Sequence, residues 1–185
     1  LSNKDFALVH SAGNDNKNLS NRVLSGNEAF ADIVDTSAIS SKLLIVGASY
    51  LVENGKAYFS DYPGANLAIQ NRFVLAPAKS DLPEYGMSIG TSGAAANVSG
   101  ALALMKERWN HLSGQEMTSI ILETANSSFE NYNPFYHGQG HIDMESAFNP
   151  VGQTSIPLGG ENYGVEDLSV TLPYGFKQIE VSASV

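Results

Sequence analysis

The stretch GTSGAAANVSGALAL, residues 90–104, places a serine in a glycine-flanked turn ahead of a run of small and apolar residues. Helical spacing begins after Ser92, because four apolar residues recur at intervals that put them on one face of a helix. They are Val98, Leu102, Met105 and Trp109. The pattern therefore predicts a helix with Ser92 in its N-terminal turn.

Ser92 itself has two interpretations. Serine is a preferred N-cap residue, so its hydroxyl can simply start the helix. The N-terminus of a helix also stabilises negative charge, and the small neighbours of Ser92 would let a carbonyl group approach its hydroxyl, so Ser92 can instead be a nucleophile. This stretch alone leaves both interpretations open.

The flanking segments predict an α/β body. Short apolar runs bounded by glycine or proline indicate strands or extended segments. They lie at residues 5–13, 42–51 and 67–78. Downstream, Ser113 and Glu116 have the spacing of a capping box, which predicts a second helix, and Asp143 is the expected N-cap of a short third helix.

Near residue 151 the composition changes. Residues 151–164, VGQTSIPLGGENYG, are rich in proline, glycine and asparagine and predict a linker. Beyond them apolar and polar residues alternate, and Pro173-Tyr174-Gly175 can turn a hairpin. We therefore divide the chain into an α/β body, residues 1–150, and a linker with a β-rich tail, residues 151–185.

Composition excludes several classes of function. The 185 residues amount to one domain by length, and the net charge of −9 argues against a nucleic-acid partner, which usually contacts a basic patch. The absence of cysteine excludes disulfides, thiolate metal sites and a cysteine nucleophile. No apolar run reaches the roughly 18 residues that indicate a membrane-spanning helix.

One class of serine hydrolase is excluded by the motif around Ser92. The nucleophile elbow of the α/β-hydrolases needs the pattern G-x-S-x-G. Gly90 and Ser92 fit this pattern, but Ala94 stands where the second glycine belongs. The preceding residues, EYGMSIG, also lack the strongly apolar strand that leads into such an elbow.

The same stretch resembles the nucleophile segment of the subtilisin-like serine proteases, G-T-S-x-A-x-P-x-V-x-G. The matching positions are Gly90, Thr91, Ser92, Ala94, Val98 and Gly100. Five further segments resemble segments of that family and follow in its order. They are VHSAGND, LLIVGAS, AYFSDYPG, FVLAP and GQGHIDMESAF. Ala96 replaces the family's proline and Ala78 a glycine, and neither change removes a catalytic group.

The resemblance implies the C-terminal part of a subtilisin-like peptidase domain, with a parallel sheet flanked by helices. It implies that Ser92 is the nucleophile and that the Asn14 side chain donates to the oxyanion. It also places Ser11, Ala12 and Gly13 in a pocket for the substrate residue before the scissile bond. The implied activity is that of a serine endopeptidase acting on proteins or peptides, in a secreted or cell-surface location.

The other triad members are expected outside this chain. The family's order is Asp, His, oxyanion Asn, Ser, so the Asp and His belong before Asn14, and His10 is too close to Asn14 to be the base. The later histidines are expected at the surface: His111, His137 and His141. No catalytic motif surrounds Asp15, Asp35 or Asp61. We expect an N-terminal part of the same domain to supply both groups and to be a partner of this chain.

The implied reaction requires no cofactor, and no residue is assigned to a metal. The loop NDNKN, residues 14–18, offers oxygen ligands, so calcium is a candidate structural ion, although the EF-hand pattern is absent. The tail resembles the segment after the protease domain in some surface-attached bacterial subtilases, which suggests membrane attachment through a region outside this chain. The main alternative is a non-catalytic subtilisin-like module that binds a peptide or partner. A further one is a structural domain in which Ser92 only caps a helix.

Overall fold

The structure is a computed structural model of the 185-residue chain. It describes residues 4–23, 30–36, 39–50, 55–78, 90–149, 155–158 and 161–164. The chain divides into two compact units, Leu1–Phe148 and Asn149–Val185, and each is described by itself.

A parallel sheet of three strands lies at the centre of the first unit. Its strands, in spatial order, are β1 (Leu8–Ser11), β2 (Leu43–Ser49) and β3 (Phe73–Pro77). The register aligns Ser11 with Val46 and Val46 with Val74. All seven residues of β2 are buried, as its continuous apolar run LLIVGAS requires of a strand covered on both faces.

The described part of the first unit also contains helices of different lengths. They are α1 (Phe30–Thr36), α2 (Leu67–Gln70), α3 (Thr91–Arg108), α4 (Gly114–Glu123), α5 (Pro134–His137) and α6 (Met144–Ala147), with 3₁₀ turns at Leu19–Asn21 and Ser40–Lys42. The longest of them, α3, contacts all three strands. It therefore packs across one face of the sheet.

Hydrophobic clusters lie on both faces of the sheet, because successive strand residues point to opposite sides. Leu44 and Val46 of β2 belong to one cluster, whereas Ile45 belongs to the other. The first cluster also contains Val98, Leu102 and Met105 of α3. The second also contains Phe30 and Val34 of α1 and Ile69 of α2. The apolar face predicted for α3 is therefore confirmed.

The predicted α/β body with a parallel sheet flanked by helices is confirmed, and one segment differs in detail. Residues 67–78 do not form one extended segment: they begin as helix α2 and enter β3 only at Phe73. The cause is a local cap, since the Asn66 side chain accepts a hydrogen bond from the Ile69 N–H at 3.1 Å.

The two predicted helix caps after α3 are confirmed. Ser113 Oγ accepts from the Glu116 N–H at 3.2 Å, and the Glu116 carboxylate accepts from the Ser113 N–H at 2.7 Å, so the capping box is complete. Asp143 caps α6 by accepting from the Ser146 N–H at 3.0 Å. These N–H bonds hold the pKa of Glu116 and that of Asp143 below their ordinary values.

The second unit contains an antiparallel strand pair in its described part. Strand β4 (Ser155–Leu158) pairs with β5 (Glu161–Gly164), with Leu158 opposite Glu161. The sequence between residues 151 and 164 therefore does not form a simple linker. Gly159-Gly160, between the two strands, is a common hairpin signal that accounts for the difference. The hairpin predicted at Pro173-Tyr174-Gly175 lies outside the described residues.

Candidate active site

Ser92 is the second residue of helix α3 and is exposed. The N-cap of this helix is Gly90, which has no side chain to cap with. The interpretation of Ser92 as a capping residue is therefore wrong, because its hydroxyl lies inside the first turn rather than ahead of it. The helix starts at Thr91, one residue before the serine, and Ser92 is exposed although Gly90 and Thr91 are buried.

Asn14 lies in the loop that follows β1 and contacts the start of α3. Its Oδ1 accepts two hydrogen bonds from Thr91, from the backbone N at 2.9 Å and from Oγ1 at 3.1 Å. Gly90 lies against the same amide, because a Cβ added to Gly90 would be 3.4 Å from Asn14 Nδ2. Asn14, not Ser92, therefore caps α3, and it does so from another part of the chain.

The orientation of the Asn14 amide follows from this contact. A backbone N–H can only donate, so the atom that faces the N–H of Thr91 must be the oxygen. Nδ2 is then directed elsewhere, and no described residue accepts a hydrogen bond from it. The backbone N–H of Ser92 likewise has no acceptor among the residues described. Oxyanion holes are built from donors of these two kinds, backbone N–H groups and side-chain amides.

Thr91 links the loop after β1 to the start of helix α3. It is 1% exposed, and its Oγ1 accepts a hydrogen bond from the Gly13 N–H at 3.2 Å while donating to Asn14. The motif around Ser92 contains Thr91 but indicates no role for its hydroxyl. Its hydroxyl bridges two consecutive loop residues to the first residue of α3.

Asp61 is the second residue near the site that sequence reasoning missed. It is 4% exposed, and its Oδ1 accepts hydrogen bonds from the backbone N of Asp15 at 3.0 Å and of Lys17 at 2.8 Å. Its own N–H donates to the Gly13 carbonyl at 2.9 Å. The FSD segment within AYFSDYPG was the available signal, since it placed Asp61 in a family segment, but nothing local indicated its burial.

The residues predicted to form the substrate pocket differ in accessibility. Ser11, the last residue of β1, is partly buried, whereas Ala12 has no exposed surface and belongs to the hydrophobic cluster beneath the loop. Gly13 lines a cavity of about 520 Å³ together with Asp15, Arg22 and Asp61. Ala12 therefore supports the loop from beneath, and Gly13 is the predicted pocket residue that reaches a cavity.

Two of the three histidines predicted at the surface are partly buried instead. His141 Nε2 lies 2.6 Å from Oγ of Ser49, which is 1% exposed, so this pair links β2 to the loop before α6. His137 is partly buried, and its Nδ1 accepts from the Asn133 N–H at 2.9 Å. His111 is exposed, as expected. None of the described side chains forms a hydrogen bond with the Ser92 hydroxyl.

His10 lies on β1 and is half-buried. Its ring atom Nδ1 is buried and has no hydrogen-bond partner among the described residues. Burial, and then the charge of Arg22, lower the pKa of His10 below its ordinary value of 6.5.

Side-chain oxygens of the loop 14–18 accept hydrogen bonds from residues outside the loop. Asn18 Oδ1 accepts from the Ser20 N–H at 2.9 Å, and Asn16 Oδ1 accepts from Lys56 Nζ at 2.9 Å. Within the described part of the chain, no group of three or more His, Asp or Glu side chains is placed to hold a metal ion.

Comparison with models of protein families matches residues 2–141 to the subtilase family. This match extends over more than half of the chain. The chain belongs to the subtilase family. The family predicted from the motifs around Ser92 is therefore confirmed, together with its serine protease fold.

Solved protease structures have the same fold as this subtilase chain. The prenylagaramide maturation protease PagA matches with a TM-score of 0.54 at 21% identity, over 76% of this chain and 49% of PagA. A chain of the subtilase cytotoxin SubAB matches with a TM-score of 0.56 at 22% identity, over 76% and 47%. The serine protease MycP1, an essential component of the type VII (ESX-1) secretion system, matches with a TM-score of 0.51 at 25% identity, over 78% and 43%.

The subtilase chain therefore spans less than half the length of these three relatives. No curated protein sequence matches it. Among the helices that the structure describes, none combines the length and the apolar character needed to cross a bilayer.

Proposed function

We propose that this subtilase chain carries the nucleophile and the oxyanion hole of a serine endopeptidase. The observation that carries the proposal is the contact of Asn14 with Thr91, which holds an amide donor beside the first turn of α3, the turn that contains the exposed Ser92. Among the described residues this donor has no acceptor. Both the serine and the donor are thus placed by one hydrogen-bonded unit.

In the proposed reaction, Ser92 Oγ attacks the carbonyl carbon of a peptide bond while a histidine takes its proton. The carbonyl oxygen becomes an oxyanion, which the Ser92 N–H and Asn14 Nδ2 stabilise. The histidine then protonates the leaving amine as the C–N bond breaks. Water hydrolyses the acyl-enzyme by the same proton transfers in reverse.

The histidine and the carboxylate that orients it would come from an N-terminal part of the protease domain, which is the proposed partner of this chain. Two observations support this assignment. The chain spans less than half of the solved relatives, and no described side chain is hydrogen-bonded to the Ser92 hydroxyl. Expressed alone, the chain is expected to hydrolyse no protein substrate. Robust cleavage by the purified chain would show that the base lies within it.

Substrates would be proteins or peptides, with the residue before the scissile bond near Gly13 and the cavity beside it.

The reaction needs no cofactor. Calcium as a structural ion is tested by thermal unfolding with and without a chelator. We also propose a secreted or cell-surface location, which fractionation of the source cells would test, with any membrane attachment through a region outside this chain.

The proposed function is tested by labelling and kinetics of the protease that contains this chain. A fluorophosphonate should label Ser92 and stop hydrolysis of a short peptide, and Ser92→Ala should abolish both. Ser99→Ala is the matched control, because Ser99 is exposed on the same helix and its hydroxyl donates to the Ala95 carbonyl at 2.9 Å. Peptide binding without labelling or turnover would favour the non-catalytic module instead.

A further inference from the structure

The loop that carries Asn14 is anchored by an acidic side chain to which the proposed reaction gives no role. The N–H groups of Asp15 and Lys17 converge on one oxygen of Asp61. Asn16, between them, has a φ of 54°, a left-handed conformation that asparagine tolerates. Backbone N–H groups that converge in this way form an anion-binding nest. Here a buried carboxylate of the same chain occupies the nest.

Asp61 also fixes the residue on the other side of Asn14. Its N–H donates to the Gly13 carbonyl at 2.9 Å. Gly13 has a φ of +122°, and a Cβ added there would overlap Oδ2 of Asp61. The Gly13 backbone therefore lies directly against the carboxylate, and Asp61 contacts the chain immediately before and immediately after Asn14.

The backbone of Asn14 has little other support. Among the described residues, neither its N–H nor its carbonyl makes a hydrogen bond. Its position follows from its side-chain bonds to Thr91 and from the anchoring of its two neighbours by Asp61. Loss of the Asp61 contacts would leave Asn14 held only through its side-chain oxygen.

Lys56 completes the anchor with an opposite charge. Its Nζ donates to Asn16 Oδ1 at 2.9 Å, to the Ala57 carbonyl at 3.0 Å and to the Ser60 carbonyl at 2.8 Å. Burial lowers the pKa of Lys56, and the charge of Asp61 opposes that effect. A carboxylate and an ammonium thus hold the same loop at adjacent residues.

We propose that Asp61 is a positioning residue that sets the place of the Asn14 amide donor, with Lys56 as the second anchor of the same loop. The carboxylate acts through geometry and does not touch the substrate. Its charge matters because hydrogen bonds to an ionised acceptor are roughly twice as strong as neutral ones. This inference rests on the proposed role of Asn14 in the oxyanion hole.

A kinetic double-mutant cycle in the protease that contains this chain tests the proposal. Asp61→Asn keeps the shape of the side chain but removes its charge. We expect it to lower kcat by about tenfold to 10²-fold, the scale of a misplacement of about 1 Å, with KM within about twofold. In an Asn14→Ala background the same change should lower kcat by less than about twofold, because the donor that it positions is gone.

Asp143→Asn is the matched control, since Asp143 also accepts a backbone N–H but caps α6. It should leave kcat unchanged. If Asp61→Asn lowers kcat equally in both backgrounds, or does not lower it at all, the positioning role is overturned and the proposed function stands. If Asn14→Ala retains full kcat, the oxyanion assignment itself fails and the inference fails with it.

A second variant covers the case in which Asp61→Asn does not fold. Lys56→Met removes the ammonium from the same loop while keeping an unbranched side chain of similar length. A loss of kcat that disappears in the Asn14→Ala background supports the proposal. An unchanged kcat in folded Lys56→Met, or a loss that persists in that background, overturns it.

Discussion

Asn14 and Thr91 form a two-point contact in which one oxygen accepts both bonds: Asn14 Oδ1 lies 2.9 Å from the Thr91 backbone N and 3.1 Å from its Oγ1. The first N–H groups of a helix have no partner within the helix. Here a loop that follows β1 supplies one. The contact therefore couples the end of a strand to the start of α3, and with it the two donors proposed to face the oxyanion.

Replacing Asn14 separates its two roles. Asn14→Leu removes both the acceptor and the donor and should lower kcat by about 10²–10³-fold with KM nearly unchanged, the usual effect of removing one oxyanion-hole donor. Asn14→Asp keeps the acceptor for Thr91 but places a negative charge against the developing oxyanion. It should be at least as damaging to kcat while leaving thermal stability close to that of the wild type.

Steady-state kinetics on a short peptide, with thermal unfolding of both variants, measures these effects. A folded Asn14→Asp protein with wild-type kcat would reduce Asn14 to a helix cap. The contact of Asn14 with Thr91 would then no longer support the proposed function.

Thr91→Val tests the bridge between loop and helix. Valine has nearly the same shape, but it leaves the Gly13 N–H without its acceptor, which should cost about 1–3 kcal/mol of unfolding free energy. Thr91→Ser is the control, because it keeps the hydroxyl and loses only one buried methyl, about 0.8 kcal/mol. Urea unfolding measures both. Equal stability of the two variants would contradict a structural role for the hydroxyl.

Local sequence patterns predicted the elements that hold the site. Each of these patterns lies within one helix or strand. They are the apolar run of β2, the spacing of Val98, Leu102 and Met105 on α3, and the capping box at Ser113. They could therefore be read without the fold. The family resemblance added the proposed roles of Ser92 and Asn14, which local physics alone left undecided.

The contacts that the sequence did not show are long-range ones. Asp61 meets the N–H of Asp15 across 46 positions, and His141 meets Ser49 across 92. No periodicity or propensity encodes such pairs, because they form only when separate segments meet at the sheet. The capping role of Ser92 failed for a related reason, since Asn14 supplies the cap from 77 positions away.

Removal of the C-terminal unit should leave the site intact. The candidate catalytic residues and their supports all lie within Leu1–Phe148. A protease truncated after Asn149 should therefore keep its kcat and KM and lose stability only modestly. Activity on a peptide and a thermal unfolding curve check this expectation, and complete loss of folding would show that residues 150–185 are integral to the body.

Acidification should destabilise the protein through two histidines. Burial lowers the pKa of His10 and of His137 below 6.5 in the folded state, and His137 Nδ1 must be unprotonated to accept from the Asn133 N–H. Below that value the unfolded chain binds more protons than the folded one. The unfolding free energy should therefore fall as the pH drops from about 7.5 towards about 5.5.

The carboxyl groups with lowered pKa do not produce this loss, because they titrate at lower pH: they are Asp5, Glu116 and Asp143. Replacing His10 by Gln should reduce the slope of unfolding free energy against pH in this window, whatever its effect on total stability. Replacing His137 by Gln should remove the remainder. Urea unfolding at closely spaced pH values measures the slope. A free energy that stays level or rises between pH 7.5 and about 5.5 would show that both histidines are charged as readily in the folded protein as in the unfolded chain.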